Sequence, residues 1–522
     1  MGTSDDMAPS PSKSGPAKPS ESADTASRTP FGPLRLRLAR LCECGILVAL
    51  SLFAVTVPHS IKAAERSWKL ALLLWLMKLA VERSRPLRQP LSAPLLAFVS
   101  LSAVSSALSP EPYLSWDRMK LVCLVLVGIV VAQNVRRLSR AHWLALLLVL
   151  SGLAAAVFTG WQYTYGVGVA LVTVPADSRL AQVGFHSGDV ITKVAGHATH
   201  TPDELVRQLT ALPPNAQAPV DYLPGLTPNR AQLRATPDDF RESGLGTSAL
   251  ALSLGKPFRA QGTLGHYVVF AEVLMQIGCM AWALLMVTRR TSRARAVLFA
   301  IALAGITAAL FMTETRAALA GLALGCLIAL LLLSPGKRRW LAIGTLVLLV
   351  AAATVWIQHS RGLHWFDRGD IGTQFRVLMW QDGARLVHQH PWFGVGMETV
   401  RVHYREWNIR GFLQFHVVSH FHSTMLQIAV ERGVPALLAW VWFTVAYIVF
   451  LARLTLRLRV RNRLAAGIVA GVLAGFCAFT LTSFVHYNLG EEPVAMLLFF
   501  YYGLAAAIDR MASADGNNGL AT

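Results

Sequence analysis

Arg316, Arg376 and His422 are the residues of this chain whose types and positions could do chemistry. A guanidinium grips phosphate or carboxylate oxygens at two points, and an imidazole accepts a proton near neutral pH. Arg316 lies in MTETRAALAG, a turn so short that the arginine must sit at a membrane surface or just inside it. Arg376 opens a helix on which Trp380 falls four residues later, on the same face. His422-Ser423 stands where a long polar stretch gives way to the next apolar run, eleven residues before Gly433. An ionisable residue at such a boundary is a functional candidate by default. Each has a structural alternative: an interfacial anchor for Arg316, a salt-bridged loop arginine for Arg376, a polar helix start for His422. Ser423 reads as a helix cap rather than a nucleophile, because no Gly-x-Ser-x-Gly elbow surrounds it.

The same stretch crowds His388, His390, His403, His416, His420 and His422 together, which raises a metal site. His420 and His422 are two apart, a spacing that does not put both on one helical face. No HExxH and no pair of aspartates of the Mg²⁺-diphosphate type accompanies them. The expectation is no metal and no cofactor.

What must position these residues is a membrane scaffold. The chain of 522 residues is 54% hydrophobic and 15% charged, with a mean hydropathy of +0.46. Soluble domains carry about 25% charged residues. The formal charge of +19 does not point to nucleic acid, because the basic residues fall in short clusters between apolar runs. Twelve such runs occur, at roughly 41–58, 67–82, 91–108, 118–134, 141–163, 265–288, 296–312, 317–334, 340–357, 434–452, 464–485 and 493–508. Several fall short of the ~20 residues usually needed to span. Arginine clusters follow the second, fourth, sixth and tenth runs, and Lys337 to Arg339 follow the eighth. With RLRLAR before the first, they share one side, so both termini are expected in the cytoplasm. The long loops, 164–264 and 358–433, then face outward.

The expected organisation is a disordered tail (1–30), transmembrane helices in 41–163, 265–357 and 434–508, and a short cytoplasmic tail at 509–522. The fold class is an all-α polytopic membrane protein of about twelve transmembrane helices. Its six cysteines lie in or beside apolar runs and suggest neither a disulfide framework nor a zinc site.

The first outward loop contains VPADSRLAQVGFHSGDVITKVAGHATHTPDELVRQL, Val174 to Leu209. Ala181, Gly184, the turn Ser187-Gly188-Asp189, the strand Val190 to Val194, Gly196 and a helix from Thr201-Pro202 make it similar to a bacterial periplasmic PDZ domain. Thr201 with Glu204 fits a capping box. The resemblance implies a small α+β insert over about 168–240, either a spacer or a binder of an extended periplasmic peptide. Its outer strands, before Val174 and after Asp221, are indistinct.

A second resemblance is more specific. Arg376-x3-Trp380, then Pro391-x-Phe393-Gly394-x-Gly396, then His422-Ser423-x9-Gly433 resemble the signature of the O-antigen ligase and polymerase superfamily. Thr313 to Ala317 (TETRA) resembles its Ser/Thr-Arg-Gly turn, and the likeness runs from about Gly262 to Leu438. Ala317 and Ala436 stand where glycine is frequent, and Ser423 where asparagine is. The resemblance implies a fold similar to the transmembrane GT-C-like glycosyltransferases, in a bacterial inner membrane with the site facing the periplasm. It implies metal-independent transfer of glycan from undecaprenyl diphosphate to a sugar hydroxyl of lipid A-core. Arg316 and Arg376 would clamp the diphosphate, and His422 would act as base in an inverting-type attack. Trp380, Arg259, Lys256, Arg401 and His420 are further substrate-binding candidates. The alternatives are a protein O-oligosaccharyltransferase or an O-antigen polymerase of that superfamily, and, from another class, a transporter.

Overall fold

A computed structural model describes residues 32–82, 89–165, 168–172, 174, 181, 184–213, 217–223, 229–233, 252–254, 260–334, 336, 340, 343–344, 371–415 and 420–518. The apolar runs form helices because a chain inside lipid must satisfy its backbone internally. Eight helices are long and apolar enough to cross a membrane. They lie in α1 (Gly32–Thr56), α6 (Leu138–Tyr165), α8 (Tyr267–Thr288), α9 (Arg293–Thr313), α10 (Arg316–Leu333), α14 (Thr424–Arg461), α15 (Arg463–Thr482) and α16 (Glu492–Asn518). The other expected spans differ in kind. The second is a helix, α2 (Ile61–Glu82), with charges at both ends, and the third, α3 (Ser92–Leu108), is apolar but short. The run expected at 118–134 is two helices, α4 (Pro112–Val122) and α5 (Val125–Asn134). Between them the backbone tightens, with Leu124 and Val127 N–H groups bonding three residues back. α4 also carries Asp117, Arg118 and Lys120 and is not an apolar span. Most of the expected run at 340–357, and the tail 1–30, lie outside the described residues.

The arginine-rich ends gather at one end of the bundle. Arg457 of α14 pairs with Asp509 of α16, Arg510 of α16 donates to Val135 O beyond α5, and Arg140 of α6 pairs with Glu43 of α1. α8, α15 and α16 form the centre, with 83%, 78% and 83% of their most apolar windows buried. α10 approaches α15 closely and antiparallel through small residues. A Cβ built on Gly321 or Gly325 would come within 3.4 Å or 3.0 Å of backbone atoms of Ala478 or Ala474. That register sets Arg316, the first residue of α10, level with Ser483 at the end of α15.

α14 is broken near its start, and the break is built from sequence. Gly433 takes φ +84, ψ 168, and Pro435 has no N–H to give. The Val434 N–H goes to Pro391 O at 2.7 Å, which frees the carbonyls of Val430 and Glu431 from helical bonding. They accept instead from Val395 N (2.9 Å) and Gly396 N (2.8 Å), and Ser105 Oγ adds a 2.8 Å bond to Glu431 O. The Pro391–Gly396 turn is therefore clasped into the gap. Its glycines are required: a Cβ on Gly394, Gly396 or Gly433 would meet neighbouring atoms at 2.0–2.4 Å, and all three have positive φ. Gly433→Ala is expected to lower the thermal midpoint of the purified protein or abolish its monodisperse yield. Strain at such a φ alone costs ~1–3 kcal/mol before the clash. Wild-type melting of a correctly inserted Gly433→Ala protein would show that the clasp is dispensable.

Residues 371–415 of the stretch between the spans are folded, not an irregular loop. α11 (Ile371–Gln389), α12 (Thr399–His403) and α13 (Arg410–Phe415) enclose their own core of Met379, Leu386, Val400, Ile409, Phe412 and Phe421. Buried Asp382 holds α13 to α11 by accepting from Arg410 N (2.7 Å) and Arg410 Nε (2.9 Å).

The first loop forms a sheet of β1 (Val169–Leu171), β2 (Val190–Val194), β3 (His197–Ala198), β4 (Ala218–Leu223), β5 (Asn229–Leu233) and β6 (Leu252–Leu254). Its order is β5-β4-β2-β1-β6 with β3 on β2, and every pairing is antiparallel. α7 (Pro202–Thr210) packs Leu205 and Leu209 against it. Thr201 caps α7 by accepting from Glu204 N, as its spacing predicts, and the Glu204 carboxylate reaches back to His200 N. The strands that are indistinct in sequence are β1, β5 and β6, and β1 and β6 have only three residues each. β6 pairs with β1 from beyond residue 240, so the sheet extends past the expected boundary of the insert.

Candidate active site

The polar stretch meets α14 at His422, and the local backbone shows why this histidine is held. His422 sits in the left-handed region (φ 49), uncommon for a side chain other than glycine. Its N–H donates to His420 Nδ1 at 3.2 Å, and Ser423 caps α14 by accepting from Leu426 N. The capping reading of Ser423 is borne out. The two imidazoles lie 4.4 Å apart, and Phe375 of α11 sets its ring edge-on to His422 at 5.2 Å. Arg376, next along α11, is half-buried, and its charge bears on His422. Arg376 lies in the second turn of α11 rather than at its start, since the helix begins by Ile371.

The electrostatics keep both histidines neutral. Burial, reinforced by His420, Arg376, His486 and His266, pushes His422 down to about 2. Burial, then His486, His266 and Arg401, pushes His420 down to about 4. An unfolded imidazole titrates near 6.5, so the unfolded chain takes up protons first as pH falls. Stability is therefore full above about pH 6.5 and is lost as pH drops toward the folded values. Thermal scans in detergent should show a lower midpoint at pH 5 than at pH 7.5, with a smaller drop in His420→Gln. An equal drop in both proteins would assign the effect to other groups.

A polar network lies directly behind the pair. The Thr424 N–H reaches Ser483 O (2.8 Å) and His486 O (3.0 Å), fastening the start of α14 to the α15–α16 turn. His486 Nδ1 is 2.9 Å from Glu272 Oε1, and Thr482 Oγ1 donates to Glu272 Oε2 at 2.8 Å. Asn488 donates to Thr482 Oγ1 (2.9 Å), and its Oδ1 lies 2.8 Å from Thr424 Oγ1. Glu272, His486 and Asn488 are all buried. Sequence reasoning passed over His486 and Asn488. The available signal was Glu272, an acid in mid-span that had to find a partner.

The other candidates take varied places. Arg316 begins α10 and, by the glycine register, stands level with Ser483, whose carbonyl binds Thr424. Trp380 lines an open, mostly apolar groove of about 630 Å³ with Ala384, Met425, Leu426 and Phe484, and Ser423 borders it. Those surroundings suit a hydrocarbon chain better than the phosphate or sugar expected of it. Arg401 is a half-exposed arginine paired with Glu398 at 3.1 Å. Lys256 and Arg259 lie outside the described residues, as does His416. His403 is drawn away by Glu406 (2.7 Å) and Glu111 (3.1 Å), carboxylates that raise its pKa. Among the described residues, no three His, Cys, Asp or Glu side chains are grouped as metal ligands.

The fold defines a multi-pass membrane protein, and its candidate site gathers His420, His422 and Arg376 where the polar stretch meets α14. Residues 301–441 match the model of the O-antigen ligase family (Wzy_C), which supports the superfamily resemblance over that segment. The match covers Arg316, Arg376, the Pro391–Gly396 turn, His422 and Gly433, and leaves the first eight helices, the sheet, α15 and α16 outside it. This family points to a glycosyl-transferring enzyme of O-antigen assembly. The search of curated proteins finds no match.

Proposed function

We propose that the chain is an O-antigen ligase that moves polymerised glycan from undecaprenyl diphosphate to a sugar hydroxyl of lipid A-core. The observation that carries this is the neutral His422 beside Arg376 at the membrane boundary, inside the family-matched segment. The acceptor hydroxyl would bond to the anomeric carbon from the face opposite the leaving group, losing its proton to His422. The bond from that carbon to phosphate oxygen breaks, and the electron pair leaves on the diphosphate. Arg376 and Arg316 would hold those oxygens and offset the charge that grows on them. A diphosphate bound there also raises the basicity of His422, because an adjacent anion favours imidazolium. The arginine-rich end of the bundle would face the cytoplasm and this site the periplasm.

The break in α14 could also suggest a transporter, where unwound helices line a pathway. Here the gap is filled by the Pro391–Gly396 turn, which favours transfer chemistry over passage. Surface-lipid gels of a strain lacking the gene test the reading. Loss of long glycan on lipid A-core with retention of polyprenyl-linked polymer is expected. Loss of the polymer itself would make the enzyme a polymerase, and unglycosylated proteins with a normal lipid ladder would make it a protein O-oligosaccharyltransferase.

A further inference from the structure

The end of the bundle opposite His422 contains a second concave site. A cavity of about 420 Å³ opens where α8, α10 and α14 end and α15 begins, framed by Arg290, Arg459 and Arg463. Its remaining wall is mostly apolar, from Val287, Leu333, Val460 and Ala466, with Ser334 at the edge. The three guanidiniums belong to three separate segments: the turn after α8, the last turn of α14 and the first of α15. Among the described residues none of the three has a carboxylate within ion-pair distance. Arg459 makes one long bond, 3.4 Å, to Leu332 O. Their neighbours behave differently: Arg457 pairs with Asp509 and Arg140 with Glu43. α15 also begins here, its start capped by Asn462 Oδ1 accepting from Ala465 N at 3.0 Å.

We propose that this cavity binds the headgroup phosphate of an anionic phospholipid of the adjoining leaflet. Membrane orientation requires only a surplus of positive charge on one side and does not require three arginines to converge on a hollow. Three arginines without carboxylates offer paired N–H donors to phosphate oxygens, and the apolar wall continues along the line an acyl chain would follow. A zwitterionic lipid brings a phosphate too, but its ammonium would be repelled by the same charges. The 22 residues of α8 span ~33 Å. The site is therefore remote from His422 and independent of the transfer reading. A lipid seated there would tie together the ends of α8, α14 and α15.

The test uses the purified full chain in detergent, with bound lipid counted by native mass spectrometry as dioleoyl phosphatidylglycerol, phosphatidylcholine or inorganic phosphate is added. One tightly held phosphatidylglycerol is expected, not displaced by phosphatidylcholine or by millimolar phosphate. The triple variant Arg290→Gln/Arg459→Gln/Arg463→Gln should lose at least about tenfold in retention. A charge-matched control, Arg289→Gln/Arg453→Gln/Arg461→Gln, should keep it. Should the first triple fail to fold, the single variant Arg290→Gln must still show weakened retention. Equal loss in the control, equal retention of phosphatidylcholine, displacement by free phosphate or absence of a retained lipid would each overturn the proposal.

Discussion

His422→Ala should abolish glycan transfer while leaving donor lipid bound. On the proposed mechanism the imidazole takes the acceptor's proton, and burial and neighbouring charges push its pKa down to about 2, so that it is neutral at working pH. Removing a general base typically costs 10²–10⁴-fold, large enough to read in a gel-shift transfer assay with purified protein. The proposed phosphate grip rests on arginines of α10 and α11, so binding of labelled undecaprenyl-diphosphate glycan should change little. His422→Gln keeps a polar side chain of similar reach but cannot take the proton, and should fail as completely as alanine. His420→Gln, which removes the acceptor for the His422 N–H, should slow transfer less, through misplacement of the ring. EDTA should leave wild-type transfer unchanged. Near-normal turnover by His422→Ala would end the base assignment, and inhibition by EDTA reversed by a divalent ion would bring back a metal among the histidines.

The membrane class was legible from composition, and several spans from their length alone. The break in α14 was legible in part: Pro435 and Gly433 announce a helix interruption. Their partner, the Pro391–Gly396 turn, could be tied to them only through the superfamily's shared spacing. What holds the two together is backbone bonding between Val395, Gly396 and the freed carbonyls, and such bonds leave no mark on side-chain identity. The same limit hid the fold of the long polar stretch, whose core comes from scattered apolar residues on three short helices. α4 and α5 read as one span because apolar content does not report where a helix tightens and turns. The candidate site was legible as residue types, Arg316, Arg376 and His422. The layer behind it was not. Glu272 and His486 lie 214 positions apart, and only the packing of α8 against α15 makes them a pair.

Arg316→Lys and Arg376→Lys should each cut transfer strongly although the charge is kept. A lysine ammonium is a point donor on a flexible stem, whereas a guanidinium meets two phosphate oxygens with a rigid planar fork. Loss of one preorganised donor to a developing oxyanion typically costs about 10²–10³-fold, and an effect of that order is expected from either substitution. The two arginines differ in what else they do. Arg376 stands close enough to His422 to oppose its protonation, so Arg376→Ala should also shift the acid limb of the pH–rate profile toward higher pH. Arg316 starts α10, at the level of Ser483, on a different helix from Arg376. Arg316→Ala should therefore lower the rate with the acid limb in place. Donor affinity should weaken in both wherever the ground state shares the contact, a change seen in KM as well as kcat. If Arg376→Lys transfers at the wild-type rate, the arginine is an ordinary member of α11. Identical pH profiles for Arg376→Ala and Arg316→Ala would separate Arg376 from the base and require another residue to set the basicity of His422.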